Sequence, residues 1–430
     1  MPRKIAFWLW DSLKTNPIRK HLASIKMINE NPFGQASRIK NEGALKNLLK
    51  HAINTVPFYN DISSEGIESY PVVNKNLIKN NFGSFESSSF HNTKRIKQTT
   101  SGSTGTPFTV LHDINKRNRN TADTIYFGEL AGYNLGSKLF YLKKWNDQNY
   151  KSISLQWKQN IIPVDVFDLN DKEISSLIGQ LKTGNKDKNL LGYASAYDAI
   201  ARYIQKENLG ALEVNVKSII AMSEALSDTT KKILGNCFKC DVLSRYSNIE
   251  NGILAQQIPG FNNNFLINSA SYYIEILDFN SDNQVKNGEP GRIVVTDLFN
   301  YAMPMIRYDT GDVGKYDIIE KNGNSFPVLR DIEGRKMDII FNTNGEIISS
   351  FLVTNSMWKY DELRQYQFIQ KSKIHYLFKL NIDGSFEREE ELITEFKSYL
   401  GRDALIDVEY VDEIPILFSG KRRKVANLMK

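Results

Sequence analysis

The chain of 430 residues is 41% hydrophobic and 24% charged. This is ordinary for a globular protein with a buried core, and the length allows two domains. The formal net charge of +6, from 55 basic and 49 acidic residues, is too small for a dedicated nucleic-acid binder but suits anionic substrates. From this charge we expect no nucleic-acid partner. Two cysteines give no disulfide framework, so we expect a cytoplasmic protein.

The first 43 residues predict a helical extension ahead of the main fold. They begin with a basic segment and an apolar run at residues 7–10, which Asp11 ends too early for a signal peptide. Two interpretations stay open. One is a helix packed on the body of the protein, and the other is a basic amphipathic helix that also touches the inner face of the membrane through Trp and Lys/Arg side chains.

Two helical segments are predicted before the first strand-like run. Residues 44–57 carry apolar side chains at helical spacing, and Pro57 ends the pattern. The segment "PVVNKNLIKNNF" (71–82) predicts a turn followed by a short helix.

The most informative stretch is "TTSGSTGTP" at residues 99–107, where five hydroxyl side chains and two glycines occupy residues 100–106. Glycine allows positive φ and a close approach of backbone N–H groups to a ligand. Ser and Thr hydroxyls can rotate towards phosphate oxygens. We interpret this stretch as a loop for the phosphates of a nucleotide. The alternative is a flexible linker. Apolar segments lie close on both sides of the stretch and disfavour that alternative.

The rest of the chain predicts three regions in turn. Short apolar runs alternate with helical patterns between residues 138 and 250, which is the rhythm of an α/β fold. Closely spaced β-like segments follow from about residue 265, with Gly, Asn and Asp at their joints. From about residue 335, strands and one clear helix that ends at Gly401 predict a small α+β domain.

Three later motifs carry groups that a nucleotide site needs. In "RYDTGD" (307–312), Asp312 follows a tight turn and can accept hydrogen bonds from ribose hydroxyls; a solvated β-turn is the alternative. In "YSNIE" (246–250), Tyr246 offers an aromatic face for a base and Glu250 a carboxylate for Mg²⁺. In "GKRRK" (420–424), Lys421 is a compact charge suited to phosphate; a basic surface patch is the alternative.

Together these motifs resemble the adenylate-forming (acyl-activating) superfamily, most closely its phenylacetate-CoA ligase branch and the CapK-like proteins of capsular polysaccharide gene clusters. The resemblance covers roughly residues 44–430. Residues 99–107 are similar to the family's phosphate loop, and 71–75 to the branch's P-x-x-x-K segment. "MSEAL" (222–226) is similar to a motif beside the adenine, and "EGRKMD" (333–338) to the hinge before the C-terminal lid.

The resemblance implies an α/β fold with two main domains after the helical extension of residues 1–43. Residues 44–333 would form a large, multi-subdomain adenylation domain of α/β layers plus a β-rich subdomain. Residues 334–430 would form a small α+β lid domain.

The resemblance also implies ATP and Mg²⁺ as ligands and a set of site residues. The implied catalytic residues are Lys421 and Glu250, of which Glu250 would hold Mg²⁺. The implied nucleotide-binding residues are Thr100, Ser101, Gly102, Ser103, Thr104, Gly105, Ser223, Glu224, Tyr246, Ser247, Asp312 and Arg335. By position, the acyl pocket would be lined by Tyr126, Tyr141, Trp145, Tyr193, Ala194 and Ser195. These aromatic side chains can equally belong to the core.

The implied reaction joins a small carboxylic acid to AMP, with release of pyrophosphate, and then transfers the acyl group. The acceptor would be an amine or hydroxyl of a sugar or a lipid-linked saccharide in surface polysaccharide biosynthesis, with CoA as the alternative. An inactive nucleotide-binding scaffold is an alternative of another class. A P-loop kinase is disfavoured because no Lys follows Gly105.

Two departures from the family pattern bear on these roles. Ile249 stands where the family usually has Thr, so another donor must serve the nucleotide phosphate. At the hinge, residues 336–338 replace the common acidic pair, which leaves the pivot residue undetermined.

Overall fold

The computed structural model describes residues 2–63, 66–100, 108–145, 150–167, 169–335, 339–348, 350–360, 362–382, 384–415 and 423–429. The helices are α1 (Pro2–Ser12), α2 (Pro17–Glu30), α3 (Gln35–Thr55), α4 (Lys75–Asn80), α5 (Ile114–Leu130), α6 (Ile153–Gln159), α7 (Asp171–Lys182), α8 (Ala194–Lys206), α9 (Asp228–Phe238), α10 (Ser350–Ser356) and α11 (Glu389–Leu400).

The strands alternate with helices in the first half of the chain and follow one another closely in the second. They are β1 (Ile96–Thr100), β2 (Phe108–His112), β3 (Lys138–Lys143), β4 (Ile161–Asp165), β5 (Lys188–Tyr193), β6 (Val216–Met222), β7 (Val242–Asn248), β8 (Gly252–Gln257), β9 (Phe265–Ile267), β10 (Tyr272–Leu277), β11 (Pro290–Asp297), β12 (Tyr308–Lys321), β13 (Asn324–Arg335), β14 (Ile340–Phe341), β15 (Ile347–Ile348), β16 (Leu363–Gln370), β17 (His375–Ile382), β18 (Leu405–Tyr410) and β19 (Val425–Asn427).

The N-terminal extension is helical and is fixed to the body of the protein. The buried carboxylate of Asp11 accepts hydrogen bonds from the backbone N–H groups of Ile18 and Arg19, both at 3.0 Å, so it satisfies free donors in the first turn of α2. Helix α2 packs on α5 through a shared apolar cluster. The boundary expected at residues 43/44 lies inside α3, so the extension and the main domain share one continuous helix.

An eleven-stranded sheet carries both halves of the large domain, in the order β10-β11-β12-β13-β9-β8-β7-β6-β5-β3-β4. Strands β4, β3, β5, β6 and β7 are parallel, and the pairings from β7 to β10 are antiparallel. The expected α/β layers and β-rich subdomain are therefore confirmed as two parts of one continuous sheet.

The register of the parallel strands decides which side chains share a face. Tyr141 pairs with Leu191 of β5, and Tyr193 pairs with Met222, which pairs with Arg245. Because side chains alternate along a strand and paired residues face the same way, Tyr141, Tyr193 and Arg245 share one face at the carboxyl end of the sheet. The opposite face is covered by α7, α8 and α9 in a large apolar core.

The C-terminal domain is a four-stranded sheet in the order β18-β17-β16-β19 with α11 packed on it. This confirms the expected small α+β domain. Helix α11 ends at Leu400, and Gly401 follows with a φ of 120°, a backbone conformation that favours glycine. None of the helices in the described ranges is long and apolar enough to cross a bilayer.

Contacts between the two domains centre on α8. The Lys424 ammonium forms an ion pair with Asp198, and the guanidinium of Arg202 lies 4.5 Å from the ring centroid of Trp358. The Trp358 side chain is buried in the core cluster that includes α8 and α9. These contacts fix the orientation of the C-terminal domain in this structure.

Candidate active site

Strands β1 and β2 flank the phosphate-loop sequence and pair with each other. Residues 101–107, which include the expected ligands Ser101 to Gly105, lie outside the described residues. Thr100 and Phe108 pair directly across β1 and β2. The Phe108 ring is nearly parallel to that of Tyr308, with centroids 6.3 Å apart, so this strand pair packs on β12.

Glu250 is buried beside this strand pair. Its Oε1 atom accepts a hydrogen bond from the Tyr308 hydroxyl at 2.7 Å and lies 2.9 Å from the Lys75 ammonium. Its backbone carbonyl contacts His112 Nε2 at 2.8 Å. Burial and the nearby Lys116 lower the pKa of His112, so a neutral imidazole donates this hydrogen bond at neutral pH. The carboxylate is therefore held in place by β12, α4 and the end of β2, the strand that follows the expected phosphate loop.

Lys75 is a site residue that the sequence analysis did not select, although its P-x-x-x-K segment was noted. The backbone N–H of Val73 donates to the Arg307 carbonyl, and the Asp309 N–H donates to the Val73 carbonyl. The Asn74 side chain then caps α4. Lys75, in the first turn of α4, thus reaches Glu250 from a segment anchored on β12. The sequence feature that could have identified Lys75 was a lysine at the start of a helix capped by Asn74.

Asp312 is held in a turn that positions its carboxylate. The Tyr246 hydroxyl donates to Asp312 Oδ2 at 2.8 Å. The Thr310 hydroxyl bonds the Ile293 carbonyl, and its oxygen accepts from the Asp312 N–H. Gly311 adopts a φ of 81° in this turn. Burial, and then Asp312, raise the pKa of Tyr246, so its phenol remains a neutral donor.

Arg335 pairs with Asp312 across β12 and β13, so the backbone brings the two expected ribose-binding residues together. The side chain of Arg335, the hinge residues 336–338 and Lys421 lie outside the described residues. Their expected roles remain predictions.

The "MSEAL" segment, which follows β6, contacts the junction between β5 and α8 at the carboxyl end of the sheet. Glu224 Oε2 accepts a hydrogen bond from the backbone N–H of Ser195 at 3.0 Å, at the first turn of α8. Ser223 has a φ of 74°, a strained conformation for a non-glycine residue and one that concentrates at functional sites. Ser247 is half-buried on β7, beside Tyr246.

The residues expected to line the acyl pocket separate into two places. Tyr141 and Trp145 meet edge to face with centroids 5.4 Å apart, and Trp145 Nε1 donates to the Tyr141 carbonyl. Tyr193 lies on the same sheet face and Ala194 is buried in the core at the start of α8. Tyr126, by contrast, is buried in a separate cluster between α2 and α5.

Glu250 is the carboxylate that we consider for Mg²⁺ in this site. Among the described residues, no three Asp, Glu, His or Cys side chains form a metal-binding group. Among the described residues, Tyr308 and Lys75 both contact Oε1 of the Glu250 carboxylate, so Oε2 is the oxygen that could face a cation. Mg²⁺ is commonly bound by one or two carboxylates together with substrate phosphates, so Glu250 fits a cation that arrives with a nucleotide.

The fold is that of the adenylate-forming ligases. The chain superposes on the crystal structure of 2-hydroxyisobutyryl-CoA ligase in its postadenylation state with a TM-score of 0.72, at 17% identity over 92% of this chain and 91% of the ligase. It is also similar to ATP-bound MatB from Rhodopseudomonas palustris (TM-score 0.54, 15% identity, 76% and 66% of the two chains). A third similar structure is the amide bond synthetase McbA from Marinactinospora thermotolerans (0.53, 15%, 76% and 67%).

More particularly, residues 340–428 match the family model described as the CapK C-terminal domain. This confirms the CapK-like resemblance for the C-terminal domain. No curated protein matches the chain in sequence.

The TM-score is 0.72 with the postadenylation state of 2-hydroxyisobutyryl-CoA ligase and 0.58 with its thioesterification state.

Proposed function

We propose that the chain activates a carboxylic acid with ATP, forming an acyl-adenylate and pyrophosphate, and then transfers the acyl group to an acceptor. The observation that supports this proposal is the convergence of strands β1 and β2, which flank residues 101–107, with Glu250 and the Tyr246–Asp312 pair. An adenylating site needs a phosphate grip, a cation ligand and a ribose acceptor in this arrangement.

In the first half-reaction, an ionised acid approaches the α-phosphate of ATP. Because both groups are anionic, the site must offset their repulsion before orientation can help. Residues 101–105 would hold the β- and γ-phosphates, and Glu250 would hold Mg²⁺, which supplies charge neutralisation when bound. Lys421 would bridge the attacking carboxylate and the α-phosphate. No general base is needed, since carboxylic acids are ionised at neutral pH.

The nucleoside would be held by the β12–β13 pair and the β6–α9 turn. Asp312 and Arg335 would bind the ribose hydroxyls, with Tyr246 aligning Asp312, and Ser223, Glu224 and Ser247 would lie beside the base. Lys75 would replace the hydroxyl missing at Ile249, because its ammonium already reaches Glu250 and can contact phosphate oxygens.

The acceptor that we favour is an amine or hydroxyl of a sugar, because the C-terminal domain matches the CapK family model. CoA is the alternative, since the structurally similar 2-hydroxyisobutyryl-CoA ligase was solved with CoA. Trapping of a thioester from acid, ATP and CoA would reverse this preference.

ATP–pyrophosphate exchange, screened over aryl acids, amino acids, short fatty acids and uronic acids, tests the adenylation step. We expect acid-dependent exchange and AMP as the nucleotide product, with Glu250→Gln as the inactive reference. ADP as product would point to a kinase instead. If no acid in a broad panel releases pyrophosphate, the chain is an inactive nucleotide-binding scaffold.

Asp312→Asn is expected to raise the KM for ATP about 10- to 100-fold while leaving the KM for the acid nearly unchanged. The reason is that a charged acceptor of ribose hydrogen bonds contributes roughly 1.5–3 kcal/mol. Initial-rate kinetics with each substrate varied in turn measures the effect. Asp317→Asn, farther along β12 in a surface pair with Arg330, is the matched control. Equal KM values for ATP in both variants would contradict the ribose role.

We also propose that the N-terminal extension touches an anionic membrane surface. Ile5, Leu9 and Trp10 form an exposed face of α1, with Leu9 63% exposed, and Leu13 just beyond it is 86% exposed. Arg3 links this face to α6, because its Nε donates to the carbonyl of Trp157 at 3.0 Å. Exposed apolar side chains beside basic ones are typical of helices that lie in the membrane interface.

Leu9→Glu is expected to reduce binding to vesicles that contain phosphatidylglycerol by about tenfold or more. Burial of the Leu9 side chain in the membrane would contribute roughly 1.5–3 kcal/mol to binding, and the substitution removes it. Co-sedimentation with the vesicles measures it, and binding of the unsubstituted chain should weaken with added salt. Ile39→Glu, an exposed site on α3, is the control. Equal sedimentation of both variants would remove the membrane proposal without affecting the proposed reaction.

A further inference from the structure

Arg245 places a guanidinium group on the sheet face where the acyl pocket is expected. It lies in the middle of β7, in register with Met222 at the carboxyl end of β6 and, through it, with Tyr193 at the carboxyl end of β5. Tyr141, on β3, lies three strands away on the same face. Ligands of open α/β sheets bind outside the carboxyl ends of the parallel strands, so Arg245 is placed to meet a substrate.

Among the described residues, the guanidinium makes one hydrogen bond, through its Nε atom. Its Nε donates to Gln256 Oε1 at 2.7 Å. The Gln256 amide is itself fixed, because its Nε2 donates to the Phe127 carbonyl at 2.8 Å and its side chain is fully buried. Within the described ranges, no carboxylate forms an ion pair with Arg245. The two terminal nitrogens are therefore oriented but not neutralised.

Arg245 is half-buried and has no counter-ion among the described residues, a setting that disfavours its charged form. Burial lowers the pKa of Arg245 to about 10, with Tyr141 acting in the opposite direction, so the group is still charged at neutral pH. A charged group removed from water without a partner is destabilising. Strong desolvation of a side chain in a cleft is typical of functional sites.

A second cation extends the positive charge along the same face. Lys143 lies two residues after Tyr141 on β3, and its ammonium is 4.2 Å from the ring centroid of Trp145 and 5.1 Å from that of Tyr141. Burial and the nearby Lys151 lower the pKa of Lys143 to about 8, so it is mostly protonated at pH 7. Two aromatic rings and two cations thus occupy one face.

We propose that the acid activated by this chain carries a second anionic group, which Arg245 binds through its terminal nitrogens with Lys143 beside it. A planar carboxylate matches the guanidinium fork in a bidentate contact, so a dicarboxylic acid is the substrate class that fits. This inference rests on the proposed adenylation. The reacting carboxylate faces the nucleotide, and the second one faces Arg245.

The test compares matched acids in the exchange assay. Succinate, glutarate, adipate and phthalate are measured against their monomethyl esters, and 3-phosphoglycerate against glycerate to separate a carboxylate from a phosphate as the second group. We expect kcat/KM for at least one diacid to exceed that of its ester about 10- to 100-fold, the range for a hydrogen bond to a charged group. A phosphate preference over every diacid would overturn the dicarboxylate assignment.

Arg245→Gln should remove that preference by raising the KM for the diacid, with the KM for ATP unchanged, and Lys143→Gln should have a smaller effect. Arg330→Gln, a surface residue of β13 paired with Asp317, is the control. Calorimetric titration of the diacids into the protein without ATP gives a readout apart from turnover, and binding lost in Arg245→Gln alone supports the assignment.

The outcomes separate the two proposals. Exchange with esters or simple monoacids as efficient as with diacids overturns the dicarboxylate inference and leaves adenylation standing. Calorimetric binding of a diacid that depends on Arg245, with no exchange for any acid, overturns adenylation and retains the anion site. If the assays detect neither exchange nor binding of a diacid, both proposals are overturned.

Discussion

Lys421→Ala should reduce ATP–pyrophosphate exchange by about 10²–10³-fold, the usual loss when one charge-stabilising donor of a transition state is removed. Lys421 follows Gly420 near the C-terminus, and the resemblance implies that this lysine bridges the attacking carboxylate and the α-phosphate. Removing the ammonium leaves two anions facing each other. Transfer from an acyl-adenylate supplied in the assay should be much less affected, because the second half-reaction no longer needs this charge.

The control is Lys379→Ala, in an ion pair with Glu409 on the surface of the same domain. Surface pairs of this kind contribute at most about 1 kcal/mol, so this variant should keep both half-reactions. An intact first half-reaction in Lys421→Ala would exclude the lysine from adenylation.

Elements with strong local patterns were predictable from the sequence. The apolar run within "VKSIIAMSEAL" forms β6 and the periodic "REEELITEFKSYL" contains α11, which stops before Gly401. The start of α3 was not predictable, because the first half of this helix is largely exposed and so carries little apolar periodicity. A solvated helical segment has no pattern that distinguishes it from a linker.

The site was predictable in its motifs but not in its contacts. Glu250 and Asp312 were selected from short sequence patterns, whereas Lys75 reaches Glu250 from a segment far earlier in the chain. Tyr126 is an aromatic residue of the type expected in a pocket, yet it is buried in the apolar cluster between α2 and α5. Whether an aromatic side chain faces a pocket or a core depends on which distant element packs against it, and no local pattern carries that information.

The ion pair between Lys424 and Asp198 has the same non-local origin and a mechanistic consequence. Lys424 lies three residues after Lys421, and its ammonium is paired with Asp198 of α8. The Thr230 hydroxyl donates to the other oxygen of Asp198 at 2.6 Å. Although burial opposes the charged form, Asp198 raises the pKa of Lys424, so the pair is charged at neutral pH. This contact stabilises the domain orientation seen here.

Asp198→Asn should therefore weaken the first half-reaction more than the second. Leaving a buried charge without its partner costs about 3–5 kcal/mol. The side chains of Lys424 and Asp198 are 25% and 11% exposed, so we expect about 2 kcal/mol, or a factor of about 30, in the balance between domain orientations. The measurement is the ratio of exchange rate to transfer from supplied adenylate, in a double-mutant cycle with Lys424→Met.

The matched control for this cycle is Asp171→Asn, which breaks the exposed Lys206–Asp171 pair between α7 and α8 and should leave both half-reactions unchanged. Small-angle scattering gives a second readout, since loss of the Lys424–Asp198 contact should shift the two-domain protein away from the orientation seen here. The two single substitutions should be non-additive, because each removes the same contact. Additive effects, or equal losses in both half-reactions, would mean that the pair supports folding of the domains and does not select between their orientations.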